Sequence, residues 1–340
     1  MQDDLIKWYK NFIEFSAQEK KLLNAVKPEV IIEKSDADYL LIQNAFFDRM
    51  PFCNINTVNR YITFDKSGTD FINKIFETEI NDETLVISSI HEHESVKKWL
   101  KIIKNVILLD LNDDYTQSID KILFEAKKYK KVFVYIIGTQ ISTGEITPQE
   151  FFIQLKQKFE KNNINYKIML DDVQGMFLVP RDYSIFDYIL YTAHAMVYNY
   201  NAGLLISKDG KFGTKAYNLA EDYLKKLDII LAHKDKIFLF KQLFIQYFSF
   251  MIRDTNTFKL YNYTADHIFA IETTGIYYTV DEIKKLEDYK IWVSEQQSLK
   301  NCIRLRYREF AYLSEEKILK GLAFLTQLIS KKLIIKKMKE

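Results

Sequence analysis

Six short segments of this chain put chemically useful polar side chains beside strongly apolar runs. Ser67-Gly68-Thr69 opens a helical stretch. A Gly-Thr pair there offers backbone N–H groups and a hydroxyl to a phosphate, or caps the helix. Glu92-His93-Glu94-Ser95-Val96 sets an imidazole among acids, as a surface histidine or a group that handles protons. Thr139-Gln140-Ile141-Ser142-Thr143-Gly144 is a loop after a strand, read either as a helix cap or as a ligand-facing loop. Ile168-Met169-Leu170 runs into Asp171-Asp172-Val173-Gln174, a carboxylate pair suited to a solvated turn or a metal. A metal is the weaker choice, since no His or Cys cluster lies near. Thr192 and His194 put a hydroxyl and an imidazole in one polar turn. Arg304 and Arg306 share a strand face at spacing two.

The elements that must hold these groups follow from hydrophobic periodicity. Strands are expected over Thr84–Ser88, Val106–Leu111, Val132–Ile137, Tyr166–Leu170, Tyr188–Thr192 and Gly203–Ser207. Helices are expected over Phe71–Glu79, Glu94–Ile103, Gln117–Lys128 and Pro148–Lys161, with Pro148 in the first turn. Such alternation means an α/β domain with a mostly parallel sheet. Lys215–Ile252 reads as long helices. Residues 265–340 read as a small α+β unit, with strands near His267–Glu272 and Asn301–Tyr307 and a terminal helix Glu315–Ile335. In open α/β sheets ligands bind at the carboxyl ends of the strands, where nearly all of the polar segments above fall.

Composition bounds the function. Of 340 residues, 48% are hydrophobic and 28% charged, enough for a large core. A net charge of +2 argues against a dedicated nucleic-acid binder. Met1–Lys10 has no apolar signal core, and no stretch reaches the ~18 apolar residues of a membrane span. The two cysteines, Cys53 and Cys302, form neither a disulfide framework nor a zinc spacing. A cytoplasmic protein without membrane or nucleic-acid partners is the expectation.

Taken in order over roughly residues 55–325, the six segments resemble the class V branch of pyridoxal-phosphate (PLP) enzymes. That branch includes cysteine desulfurases and the serine–pyruvate or alanine–glyoxylate aminotransferases. The first segment is similar to the family's Gly-Thr-Thr-Glu-Gly-Ile-Asn, the second to Glu-His-x-Ser-Val, the third to Glu-Thr-Ser-Thr-Gly and the fourth to Asp-x-Ala-Gln. The resemblance implies an aspartate-aminotransferase-like (fold type I) large domain with a mostly parallel sheet and a small α+β C-terminal domain. The expected division is an N-terminal segment over 1–45 packing with the small domain, a large PLP-binding domain over 46–255, and a small domain over 256–340. It further implies PLP as cofactor, held by Gly68, Thr69, Thr192 and His194 at the phosphate. His93 would stack on the ring, Asp171 pair with its nitrogen and Gln174 reach its phenolic oxygen. Gln140 would lie beside the substrate, and Arg304, with Arg306 as rival, would grip the carboxylate of an amino-acid substrate. An amine substrate is the other option, and a homodimer is the implied assembly.

Where the family reads Ser-x-His-Lys, this chain reads Thr192-Ala193-His194-Ala195. Ala195 therefore stands at the position of the Schiff-base lysine. The next lysine, Lys208, follows another strand, so no one-residue slip restores it. Three readings compete: an aminotransferase-like enzyme whose lysine was replaced so that the substrate–cofactor adduct is trapped; a naturally lysine-less lyase or other amino-acid-transforming enzyme with His93 or His194 moving protons; and a non-catalytic binding protein. A desulfurase would need a nucleophilic cysteine on the loop before the arginine strand. Cys302 lies on that strand and Cys53 near the start, which argues against desulfuration. Tyr198-Asn199-Tyr200 replaces the family's Gly-Pro-Thr, a departure at the expected dimer contact.

Overall fold

The apolar, β-branched runs form the strands of a seven-stranded sheet in the computed structural model. The structure describes residues 15–25, 32, 34–50, 60–110, 115–175, 178–196, 202–253, 258–261, 264–273, 275–294, 302–307, 311 and 313–337. In chain order the first elements are α1 (Ala17–Leu23), α2 (Asp36–Asp48), β1 (Tyr61–Asp65), α3 (Gly68–Glu79), β2 (Thr84–Ser89), α4 (Glu94–Leu100) and β3 (Val106–Leu109). Then come α5 (Tyr115–Ala126), β4 (Lys131–Ile137), α6 (Gln149–Lys161), β5 (Tyr166–Asp171), β6 (Tyr188–Thr192), the short α7 (Ala193–Met196) and β7 (Gly203–Ser207). Two long helices follow, α8 (Tyr217–Ala232) and α9 (Lys234–Arg253), and then β8 (Phe258–Leu260), β9 (Ile268–Thr273), α10 (Val280–Asp288), β10 (Trp292–Ser294), β11 (Cys302–Arg306) and α11 (Glu315–Lys337).

Contacts divide the chain into two compact units. One comprises residues 24–140 and 146–228, the other 1–23, 141–145 and 229–340. Helix α2 groups with the large sheet. Its Gln43 amide brackets β1, donating to the Arg60 carbonyl and accepting from the Ile62 N–H.

The large sheet has the order β1-β7-β6-β5-β4-β2-β3. Pairings β2–β3, β2–β4, β4–β5 and β5–β6 are parallel, while β7 runs antiparallel to both β6 and β1. The carboxyl edge therefore collects the ends of β1 to β6 and the start of β7. Every residue of β2, β6 and β7 is buried, as strands covered on both faces should be. Helix α3 explains how one face is covered. Phe71, Ile72, Ile75 and Phe76 recur at helical spacing and pack with Phe133, Tyr135, Met169, Leu190 and Leu205 from the sheet. Each such side chain contributes about 1.5–3 kcal/mol when fully buried. Pro148 occupies the N-cap of α6 rather than its first turn. Its ring fits there because that position has no intrahelical N–H bond to lose.

The second unit is built on the antiparallel sheet β10-β11-β9-β8. Phe240, Phe244 and Phe248 lie at four-residue spacing along α9. Phe244 and Phe248 pack on Phe269 of β9, with ring centroids 5.6 and 5.5 Å away. Among the described residues no helix is long and apolar enough to cross a membrane.

Candidate functional site at the carboxyl edge of the large sheet

Asp171 and Asp172 follow one another at the end of β5, and the structure separates their roles. Successive residues of an extended chain point to opposite faces. Asp172, fully buried, accepts hydrogen bonds from the hydroxyls of Tyr183 and Tyr191 (2.9 Å for the latter), and the Arg181 guanidinium lies 3.3 Å away. Gly138 and Gly175 leave room for this carboxylate, since a Cβ at either would stand 2.7 or 2.2 Å from its Oδ1. Arg181 also donates to the carbonyls of Thr147 and Gly138. Asp172 is thus a structural tie.

Asp171 faces a different set. Its Oδ2 accepts from the Tyr135 hydroxyl at 2.8 Å and its Oδ1 from the Val173 N–H at 3.1 Å. Burial pushes its pKa up; the Tyr135 and Val173 hydrogen bonds and the positive potential of His93 push it down. Asp171 and His93, two residues singled out by sequence, thus lie within electrostatic reach of each other. His93 is the N-cap of α4: its Nδ1 accepts from the Ser95 N–H, and its ring is exposed. Gln174 is buried in the turn after β5.

On the other side of the same edge, α3 begins against β6 and β7. Ser67 caps the helix, its Oγ accepting from the Asp70 N–H and donating to the Asp70 carboxylate at 2.6 Å. Gly68 is buried, and a Cβ there would lie 2.4 Å from Cγ2 of Thr192. Gly203 presses on the same turn: its Cβ would fall 2.6 Å from the Ser67 carbonyl carbon and oxygen. Thr192 is buried, and its hydroxyl has no hydrogen-bond partner among the described residues. A buried hydroxyl without a partner, beside the N-terminus of a 12-residue helix, has the donor chemistry that a phosphate needs. Thr69 and His194 are exposed at the same edge. Gln140 is buried after β4, next to Thr139, whose hydroxyl also lacks a partner among the described residues.

Three residues of this edge have roles that sequence reasoning does not assign. Glu92 is 1% exposed; its Oε1 accepts from the Ser89 hydroxyl at 2.7 Å and the Ile137 N–H at 3.1 Å. Burial, with Asp171 nearby, pushes its pKa up to about 8. Tyr135 and Arg181 are the others. Glu92 sits beside a noticed histidine, and Tyr135 is a hydroxyl in an otherwise apolar strand. Those were the available signals.

Ala195 lies in α7, one turn beyond Thr192. Lys208 is at the opposite edge of the sheet, bound to Asp187 at 2.7 Å, so it does not replace a lysine at 195. The Tyr198-Asn199-Tyr200 turn and Cys53 lie outside the described residues. Among the described residues no group of three or more His, Cys, Asp or Glu side chains could hold a metal ion.

Arg304 and Arg306 belong to the second unit, on β11. Arg304 donates to the Ile141 carbonyl at 2.6 Å, and its guanidinium lies 5.9 Å from the centroid of the Trp292 ring. Cys302 of the same strand is buried, with its thiol 3.6 Å from the Ser142 carbonyl oxygen. Burial pushes that thiol up to about 12, so it carries no thiolate at neutral pH.

Neither a family model nor a curated protein matches the sequence. Solved structures do match the fold. A NifS-like protein from Rickettsia africae superposes with a TM-score of 0.66 at 13% identity, over 95% of this chain and 98% of the other. A multiple-substrate aminotransferase from Thermococcus profundus gives 0.62 at 13% identity, over 97% and 94%. A subgroup IV aspartate aminotransferase from Thermus thermophilus gives 0.61 at 12% identity, over 94% and 97%. The chain therefore has the aspartate-aminotransferase-like, fold type I architecture: a large, mostly parallel α/β sheet and a separate small antiparallel sheet.

Proposed function

We propose that this protein binds pyridoxal phosphate without a covalent tether and acts on an amino acid or amine in the manner of an aminotransferase. The observation that carries this reading is the pairing of two sites on one sheet edge. One is a buried carboxylate, Asp171, oriented by Tyr135; the other is a buried hydroxyl, Thr192, with no partner among the described residues, against the start of α3. Asp171 suits a protonated ring nitrogen, and Thr192 with the α3 N-terminus suits a phosphate. His93, at the start of α4, is the flat group beside Asp171 that would lie on the ring. Bound PLP would supply an electron sink for the substrate's α carbon. The chain's own part is to fix the nitrogen charge at Asp171, anchor the phosphate and keep the ring in place. Arg304 is assigned to the substrate carboxylate by its sequence pattern, and Gln140 and Gln174 to polar contacts around substrate and ring.

Ala195 removes both the tether and the usual proton carrier. On this reading PLP binds reversibly, and any proton transfer at the substrate falls to His93 or His194. The buried thiol of Cys302 supports transamination-type chemistry over desulfuration. A homodimer without membrane or nucleic-acid partners completes the proposal, and light scattering tests the assembly.

The test is a PLP titration followed by absorbance and by borohydride reduction. Reversible binding with no reduced adduct is the expected result. Adding an amino acid should then shift the cofactor's absorbance persistently. The Ala195→Lys variant should form a borohydride-stable adduct at residue 195 and gain turnover with amino acids and keto acids. A reduced adduct on another lysine of the unaltered chain would overturn the tetherless reading, and a flat titration would overturn the cofactor.

A further inference from the structure

Glu92 and Asp171 are two buried acids held at one level of the sheet. The Oε1 atom of Glu92 takes the Ile137 N–H, and Ile137 of β4 is the register partner of Asp171 on β5. Neighbouring strands stand about 4.8 Å apart, so the Glu92 carboxyl group is held on the backbone of the strand next to Asp171, close enough for the Asp171 charge to raise its pKa. Ser89 fills the second acceptor direction of Oε1. The other oxygen, Oε2, is buried without a partner among the described residues.

The charged and titratable groups around the pair are few. Tyr135 on β4 donates to Asp171, and Asp172 follows just beyond β5 with its own tie to Arg181. His93 caps α4 and is exposed. No lysine or arginine hydrogen bond to either carboxyl group occurs among the described residues. Two buried carboxyl groups that repel one another, with no lysine or arginine among the described residues bonded to either, resist ionising together at neutral pH. Burial raises the pKa of both; the Asp171 charge raises that of Glu92 further, and the Asp172 charge that of Asp171.

We propose that Glu92 is a positioning residue that keeps one proton in an acid pair with Asp171, leaving the edge a single negative charge matched to one cationic ring nitrogen. The Glu92 carboxylic acid holds the turn after β2 through Ser89 and Ile137, and its proton prevents a second charge from building up beside Asp171. The last arm of the test below rests on the cofactor reading; the first two do not.

The experiment is infrared titration of the cofactor-free, full-length chain, following the carbonyl stretch of protonated carboxyl groups. In the unaltered protein a band should persist at pH 7 and disappear with a midpoint near 8. Glu92→Gln should lose one carboxyl's worth of that band. Asp171→Asn should keep it but move its midpoint to lower pH, because the repelling neighbour is gone. No band at pH 7, an undiminished band in Glu92→Gln, or an unmoved midpoint in Asp171→Asn overturns the pair. Should Glu92→Gln fail to fold, the Asp171→Asn arm decides alone. Finally, PLP shown to bind by absorbance should lower the Glu92 midpoint in the unaltered chain, since a cation at Asp171 cancels the repulsion. Bound PLP with an unmoved midpoint overturns the positioning role. Absence of PLP binding overturns the cofactor reading while the first two arms still decide the acid pair.

Discussion

Adjacent carboxylates at the end of one strand invite a substitution that tells them apart. Asp172→Asn would leave the fully buried Arg181 without its counter-charge and disturb Tyr183 and Tyr191. Breaking such a buried pair costs about 3 kcal/mol or more. Urea unfolding should show that loss in the cofactor-free protein. Asp171→Asn removes a carboxylate that is ion-paired with no lysine or arginine among the described residues, so stability should hold or rise. Binding of PLP should weaken instead by roughly 10- to 100-fold, the range for a charged hydrogen bond. Stability loss at Asp171, with none at Asp172, would reverse the assignment. Gly203 offers a second residue-scale test. A Cβ there meets backbone atoms of Ser67 and Gly68 at 2.6–2.9 Å, which cannot swing aside as a side chain can. Gly203→Ala should cost about 1–3 kcal/mol and weaken phosphate binding by displacing the start of α3 from Thr192. Unchanged affinity for inorganic phosphate and for PLP would argue that this turn does not hold the phosphate.

Among the elements, α3 links the two ends of the sheet. Its first residue lies against Thr192, and its last, the buried Glu79, receives Lys131 of β4, Lys167 of β5 at 2.9 Å and the Tyr188 hydroxyl of β6 at 2.9 Å. Burial alone would raise the Glu79 pKa, but these donors prevail and hold it down at about 2. A depressed acid stabilises the fold above its unfolded value of 4.5, and that contribution fades as pH falls toward 2. Glu79→Gln should therefore destabilise strongly at pH 7 and far less near pH 3, as read by chemical denaturation at both values. An equal loss at both would mean that Glu79 is not ionised in the fold. The elements themselves were largely readable in advance. Val132–Ile137 and Tyr166–Leu170 announce themselves by their apolar runs, each one residue short of the strand that forms, and the 71/72/75/76 stripe announces α3. Strands β8 and β10 have three residues each and exist through pairing with longer neighbours, so no local pattern marks them. Helix α10 did carry a signal, the Thr279–Glu282 capping box, which periodicity alone passes over. At the site, Asp171 is visible because it ends an apolar strand. The partnership of Glu92, Tyr135 and Asp171 is not, because it depends on the order β2-β4-β5, and strand order is not written in any one segment.

At the scale of the whole molecule, the buried acids set how stability responds to pH. Glu92 has its pKa raised to about 8 in the fold against 4.5 unfolded. Between those values the folded chain holds a proton that the unfolded chain has released, so this group's contribution is complete below pH 4.5 and is lost as pH rises to 8. The slope is roughly one kcal/mol per pH unit for a single group. Other groups titrate in the same window. His233, whose pKa burial lowers, works in the opposite sense below 6.5, and Asp171 and Asp172 work in the same sense as Glu92. The absolute profile therefore mixes several terms, but the difference between the unaltered chain and Glu92→Gln removes those that both share. A glutamine carries no proton to lose and keeps an oxygen for Ser89 and Ile137. Near pH 5 the two proteins should be close in stability, and from there to pH 8 the variant should gain steadily on the parent, by several kcal/mol in all. Denaturant midpoints at one-unit intervals supply the measurement. A constant difference across that range would show that Glu92 is already ionised in the folded protein, and the single-proton acid pair would have to be abandoned.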